Sequence, residues 1–381
     1  MLTVLCMTCL VGILGFAVDV GVLLTGKIAL QTAADAAAIA GAAELKYGDV
    51  SAKAQAAAAQ NGVTDGANGA TVTVSNPPTS GPHADDSSYV EVIAAQRKST
   101  FFIKLFVPGT VTVSARAVAG NASSHGCLYA LRPSGTGILA NGADIISMPG
   151  CAIYDDSSDQ TQAMLLNGAG RITAKWIGVV GKVLQNGGFT ATPIPVSGVA
   201  PVSDPLAYLL APTAHSCLPN PIINGSGTFT LNQGCYNGFT VNGSATVNLN
   251  PGTYYINGPL TFNGSGTITG TNVTFYLTGS STFNGAQTLN LTAPTTGTYN
   301  GILFFQSRTD NQAATINGSN SSALKGIFYF PDASVTFNGS NSTELYTSVI
   351  AYSFTFNGSI RLNDYALINS ATPLVAATLI E

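Results

Sequence analysis

The chain has 381 residues, of which only 8% are charged, and a net charge of −4. Ordinary soluble proteins average about 25% charged residues, and 14 Lys plus Arg spread over the whole chain give no basic field for nucleic acid. This is not a cytosolic composition, and the length allows two or three domains.

Residues Leu2 to Leu24 carry a single charge, Asp19, and are long enough to cross a hydrocarbon core of about 30 Å. No Lys or Arg precedes Lys27, so the positive-inside rule cannot orient the segment, and Met1 reads as a truncated or processed start. Cys6 and Cys9 form a Cys-x-x-Cys inside this apolar stretch, where small lipid-facing residues are a better explanation than redox or metal chemistry. The Ala-rich run from Lys27 to Leu45 consists of strong helix formers, and Ser51 to Gln60 continues the pattern until Asn61-Gly62. The expectation is one long helix over residues 1–60. Gly12, Gly15, Ala33, Ala37 and Gly41 supply small-residue positions where another helix could approach closely, and Asp19 is costly in an apolar zone without a partner.

Residues 61–125 predict a small α+β collar. Strands are expected at Ala70 to Val74, Tyr89 to Ala95 and Thr110 to Val118, with a short amphipathic helix from Thr100 to Phe106. His83, Asp85 and Asp86 share a Pro-containing loop without metal-ligand spacing, and a solvated loop is the simpler reading.

From residue 126 to 381 the chain repeats. Asn-Gly-Ser or Asn-Gly-Ala recurs at Asn141, Asn167, Asn224, Asn242, Asn263, Asn284, Asn317, Asn338 and Asn357, with spacings of 26, 57, 18, 21, 21, 33, 21 and 19. Short alternating runs such as Leu260-Thr-Phe262 and Val335-Thr-Phe337 lead into most copies. Each unit is too small to bury a face alone, so the units must stack. A period near 20 predicts a β-solenoid, a parallel β-helix, with Asn-Gly at corners that favour left-handed dihedrals and with Asn side chains bonding along the axis. A sandwich of Asn-Gly hairpins would repeat at roughly 8 to 12 residues instead. Cys127 with Cys151, and Cys217 with Cys235, read as disulfides of an oxidising compartment.

Several of these residues also carry a family resemblance. Gly15-Phe-Ala-Val-Asp-Val-Gly21, Leu30-Gln-Thr-Ala-Ala-Asp-Ala-Ala-Ala-Ile-Ala-Gly-Ala42 and Val111-Thr-Val-Ser-Ala-Arg-Ala-Val118 resemble the N-terminal module of bacterial Tad (Flp) pilus-assembly proteins of the TadE/TadG kind. Cys127-Leu-Tyr-Ala-Leu, Ile177-Gly-Val-Val, Pro201-Val-Ser-Asp-Pro-Leu206, Leu249-Asn-Pro-Gly-Thr-Tyr254 and Gly301-Ile-Leu-Phe-Phe305 resemble the Gly- and Asn-rich extension some of them carry. The resemblance implies an envelope-anchored pilin-like or pilus-accessory protein whose partners are its own copies or other pilus subunits.

An active site is not expected. Lyases and hydrolases built on solenoids need converging carboxylates, yet no Asp or Glu occurs between Leu206 and Thr309, and no His follows His215. No nucleophile elbow, P-loop or dinucleotide fingerprint appears, and no cofactor or metal is implied. Asp155, Asp156 and Asp159 read as a turn, as does Asp204 before Pro205. Two binding readings stand beside the structural one. Tyr254, Tyr255, Tyr276, Tyr299 and Tyr329 would stack on surface glycans if exposed, and Thr-x-Thr runs such as Thr228-Phe-Thr230 and Thr267-Ile-Thr269 would make a surface-binding face.

Overall fold

The computed structural model describes residues 2–45, 49–105, 109–122, 126–213, 216–284, 286–317, 322–339, 345–369, 374 and 376–380, with backbone alone for 2–14, 105, 121–122 and 376–378. The chain divides into two compact units, Met1–Ser124 with Val375–Glu381, and His125–Leu374.

In the first unit helix α1 (Leu2–Ala43) is followed by a separate helix α2 (Val50–Gln60) packed against it. The expected single helix to residue 60 is therefore broken after Ala43. Strands β1 (Ala70–Ser75), β2 (Tyr89–Lys98) and β3 (Val111–Ala122) form an antiparallel sheet whose inner face is Val72, Val90, Val92, Ala94, Ala115 and Ala117. Those short side chains meet Ala33, Ala34, Ala37 and Ala38 of α1, all fully buried, so helix and sheet approach closely. The amphipathic helix expected at 100–106 shrinks to one 3₁₀ turn, Ile103–Leu105. The C-terminal end also corrects the domain plan. Residues Ala376–Leu379 pair antiparallel with β3, Ala119 opposite Leu379, so the solenoid does not extend to residue 381.

The second unit is a parallel β-solenoid, as its repeat predicted. Its rungs do not stack in chain order. The series begins at Ile222–Ile223 and climbs through strands near Thr240, Thr261, Thr282, Thr315, Thr336 and Thr355. The next strand is Ile138–Gly142, which pairs with Phe354 to Phe356 and is followed by Met164–Gly168 and Val183–Gly187. Three N-terminal rungs thus stand on top of the last C-terminal one. Residues 198–213 then run back toward the opposite end.

Alternation explains the interior. In Leu260-Thr-Phe262 and its equivalents the flanking residues, apolar except for Ser281, are buried and the Thr faces outward. A second sheet stacks Tyr254, Phe275, Phe304 and Phe328 in register, with ring centroids 5.1 to 5.4 Å apart. Each such ring adds a large buried apolar area, the main source of stability for the stack.

Candidate functional site

The Asn of the repeat forms a ladder along the solenoid. Asn242 donates its side-chain N–H to the Asn224 oxygen at 3.0 Å, and the pattern recurs from Asn284 to Asn263, Asn317 to Asn284, Asn338 to Asn317 and Asn357 to Asn338. It then crosses 216 residues of sequence, from Asn141 to Asn357 at 3.1 Å, and continues with Asn167 to Asn141 and Asn186 to Asn167. All nine expected positions lie in this column, and Asn186, followed by Gly-Gly rather than Gly-Ser, is the tenth. The reason for Asn differs from the expectation. Among the described residues the only non-glycine positive φ values are at Asn68, Asp85 and Asn272, so the ladder Asn are not left-handed; the following Gly142, Gly168 and Gly243 are. Asn is there for its amide, which both donates and accepts in the rung direction.

Both expected disulfides are present, Cys127–Cys151 with Cα atoms 5.5 Å apart and Cys217–Cys235 with 4.4 Å. Each joins neighbouring rungs, since Leu128 pairs with Ile153 and Leu218 with Tyr236.

The helix positions resolve differently from one another. Asp19 is fully buried and its carboxylate accepts the backbone N–H groups of Phe101, Phe102 and Ile103 at 2.6, 2.8 and 2.6 Å. Gly15 leaves room for the Phe102 ring, where an added Cβ would lie 2.6 Å away. At Gly41 that atom would sit 3.1 Å from Val90 and 3.3 Å from the Ala54 Cβ, so the helix that approaches here is α2 of the same chain. Ala33 and Ala37 are likewise consumed by the chain's own sheet, which corrects their reading as a surface for neighbouring copies. The Gly12 position lies outside the residues whose side chains are described. Phe16, Leu24 and Ile28 are the large apolar residues this helix leaves exposed along its described length, together with Val18 and Ile39. His83 stacks on Tyr89 with centroids 3.9 Å apart, and Asp86 accepts the Ser88 N–H, as in an ordinary structured loop.

The tyrosines are mostly spent inside the solenoid unit. Tyr254 belongs to the core, and Tyr276 and Tyr329 belong to an outward column with Phe305, Ile350 and Tyr129 that the returning segment 198–213 covers through Leu206 and Leu209. Arg308 fastens this strap. Its guanidinium donates to the carbonyls of Leu209 and Leu206 at 2.9 and 2.7 Å and to the Tyr329 hydroxyl at 2.8 Å, while that hydroxyl donates to the Asp204 carboxylate at 2.5 Å. Asp156 accepts the Val202 N–H. Burial raises the pKa of Asp204, although the Tyr329 hydroxyl and Arg308 pull it the other way. Burial likewise pushes Asp156 up to about 6, and Asp155 up to about 8 against the Ser157 N–H that favours its anion. The strap was not legible as such: only the isolated Arg308 and Asp204 in an uncharged stretch signalled that a buried polar contact would be needed.

Where the strap nears the Cys217 end, Tyr255 and Tyr299 remain half-buried and line an open groove of about 670 Å³ with Gln233, Thr253 and Pro212. Outward Thr of the expected Thr-x-Thr runs stand in register on another face, Thr228 beside Thr246 and Thr267, with Thr269 donating to Asn248.

Residues 1–44 match the family described as putative Flp pilus-assembly TadE/G-like. The N-terminus is Tad-like. Residues 220–367 match a domain of unknown function (DUF7305), and those limits enclose the unbroken climb of rungs from Ile222 to Asn363. No curated protein and no solved structure matches the chain significantly. The Tad-like segment coincides with α1, whose span Gly15–Ala43 is long and apolar enough to cross a membrane. Together these are the features of a membrane-anchored protein of the cell envelope.

Proposed function

We propose that the chain is a structural, non-enzymatic surface protein that holds to the envelope by its Tad-like helix and displays the disulfide-stapled solenoid outward, as a filament-forming pilin-like subunit. The observation that carries this reading is the joining of a Tad-like apolar helix to a repetitive, nearly uncharged solenoid. Because Ala33, Ala37 and Gly41 are engaged within the chain, contacts between neighbouring helices in such a filament fall to the exposed Phe16, Leu24 and Ile28. Shearing the cells, pelleting the sheared material and viewing it by negative stain tests the reading. Fibres built of this subunit support it; short single rods released only by detergent contradict it.

The second reading, a membrane-anchored monomeric adhesin, is favoured by the Tyr255 and Tyr299 groove, which offers two aromatic faces and the Gln233 amide to a surface glycan. It no longer draws on Tyr254, Tyr276 or Tyr329, which are buried.

A further inference from the structure

The two terminal rungs of the solenoid are complementary to one another. The first is Cys217 to Leu231, with Thr228, Phe229 and Thr230 exposed along its strand; the last is Val183 to Ser197, exposed from Leu184 to Gly187. Both are parallel edge strands that pair on one side only among the described residues, and such edges are templates for another chain. Each end also exposes large apolar side chains. Leu218 and Ile222 are 57% and 59% exposed at the first, and Ile194 and Val196 are 83% and 48% exposed at the last. Stacked repeats ordinarily need a polar cap at such positions. Gly126–Ala130, by contrast, is the solenoid's first strand in the sequence yet stacks on Val349 to Ala351 in an interior rung.

The ladder gives the ends a direction. Every Asn-to-Asn bond of the ladder is donated to the rung before, so Asn224 at the first rung keeps an unused amide N–H, and Asn186 at the last keeps an unused carbonyl oxygen. The backbone shows the same polarity. A Cβ added at Gly243 would meet the Gly225 carbonyl oxygen at 2.4 Å, and one at Gly187 would meet the Gly168 oxygen at 2.6 Å, because each Gly is overlain by the rung before it. At Gly225, with the same left-handed φ, nothing lies within 4 Å. The slot has the shape of an Asn-Gly rung, and Asn186-Gly187 is the Asn-Gly rung that no following rung covers.

We infer that the solenoid stacks end to end with a second copy of itself, the Val183–Ser197 rung of one copy under the Cys217–Leu231 rung of the next. Asn224 donates across the junction to the partner's Asn186, and the Gly225 slot receives the carbonyl of the partner's Gly187. Strand direction, column and register are then the same across the junction as between interior rungs. The contact is head-to-tail, so it propagates rather than closing into a symmetric dimer. It is independent of any helix-mediated assembly, because it uses only the second unit.

Site-specific cross-linking of the full chain in detergent tests this. Asn186→Cys and Asn224→Cys would bring two sulfurs onto adjacent parallel strands, within disulfide reach. Within one copy the same positions are nine rung steps apart, about 43 Å at ~4.8 Å per step. After mild oxidation each single variant should remain monomeric, a mixture of the two should give a covalent dimer that grows no further, and the double variant should give a ladder of higher species. Peptide mapping would place the bond between residues 186 and 224 and confirm that the native disulfides are intact. Natively folded variants that give no intermolecular bond in any sample, or single variants that dimerise as readily as the mixture, would overturn the inference. Because the readout is confined to the rod ends, its failure would leave the sheared-fibre result of the helix-based reading unaffected.

Discussion

The two units of this protein solve one problem, a shortage of charged residues, in opposite ways. The first unit packs small against small: Ala33, Ala37 and Ala38 of the helix lie on Val90, Ala94 and Ala117, and its buried carboxylates are each held by several donors, Glu91 by Arg116, Thr79 and Ser80 and Asp19 by three backbone N–H groups. The solenoid packs large against large in columns of Phe and Tyr, and meets its polar needs with neutral amides that bond from rung to rung. Close packing of small residues depends on a few precise sites, whereas a stack distributes its stability over repeated rungs.

That contrast can be broken at either unit. The largest effect is expected from Phe304→Ala, which removes a ring flanked by Phe275, Phe283 and Phe328 and should cost about 3–5 kcal/mol. Denaturant unfolding followed by the single tryptophan, Trp176 in the solenoid, should register it, while amide exchange in the first unit should not change. Next is Glu91→Gln. It leaves Arg116 without its buried partner and should lower the stability of the first unit by about 2 kcal/mol, short of a fully buried pair because Arg116 is partly open to water. Smaller again is Asn338→Ala. Losing the bonds to Asn317 and Asn357 should cost about 1–2 kcal/mol, read in the same tryptophan assay.

The mildest test is the sign of the pH dependence. Burial would raise the Glu91 pKa, but the hydrogen bonds from Thr79, Arg116 and Ser80 outweigh it and hold it at about 2. Its contribution is therefore present above its ordinary value of 4.5 and is lost as pH falls toward 2. Asp155 behaves oppositely. With a pKa near 8 in place of 3.8, it contributes stability fully below pH 3.8 and loses it as pH rises through 8. In unfolding of the two units measured from pH 3 to 8, the first unit should gain stability from pH 3 to about 4.5 and then level off, the solenoid should lose it from about pH 4 to 8, and Asp155→Asn should reduce that loss to the part that Asp156 contributes.

What the sequence made legible follows from how local each feature is. The Asn-Gly phase and the Thr between two apolar residues are carried within five positions, so solenoid and column could be read directly, and the disulfides followed from cysteines spaced about one rung apart. The order of the rungs could not. The 57-residue interval from Asn167 to Asn224 hides both the third N-terminal rung, with Asn186, and the return of the chain along the Tyr276, Phe305 and Tyr329 column. Nothing local distinguishes a rung that continues the stack from one that restarts it. The Ala33, Ala37 and Gly41 stripe was visible too, but a small-residue surface does not say whether sheet, neighbouring helix or another copy will cover it. Here β2 and α2 do.

The out-of-order stack is the claim on which the ladder, the strap and the complementary ends all rest. Asn141→Cys with Asn357→Cys tests it most directly, since these positions are 216 residues apart in sequence yet on adjacent rungs. Mild oxidation should close a disulfide within a single chain, seen as a faster-migrating monomer and mapped to residues 141 and 357. Failure of that pair to close, with Asn186→Cys and Asn224→Cys closing inside one chain instead, would mean that the rungs follow chain order and would contradict the account.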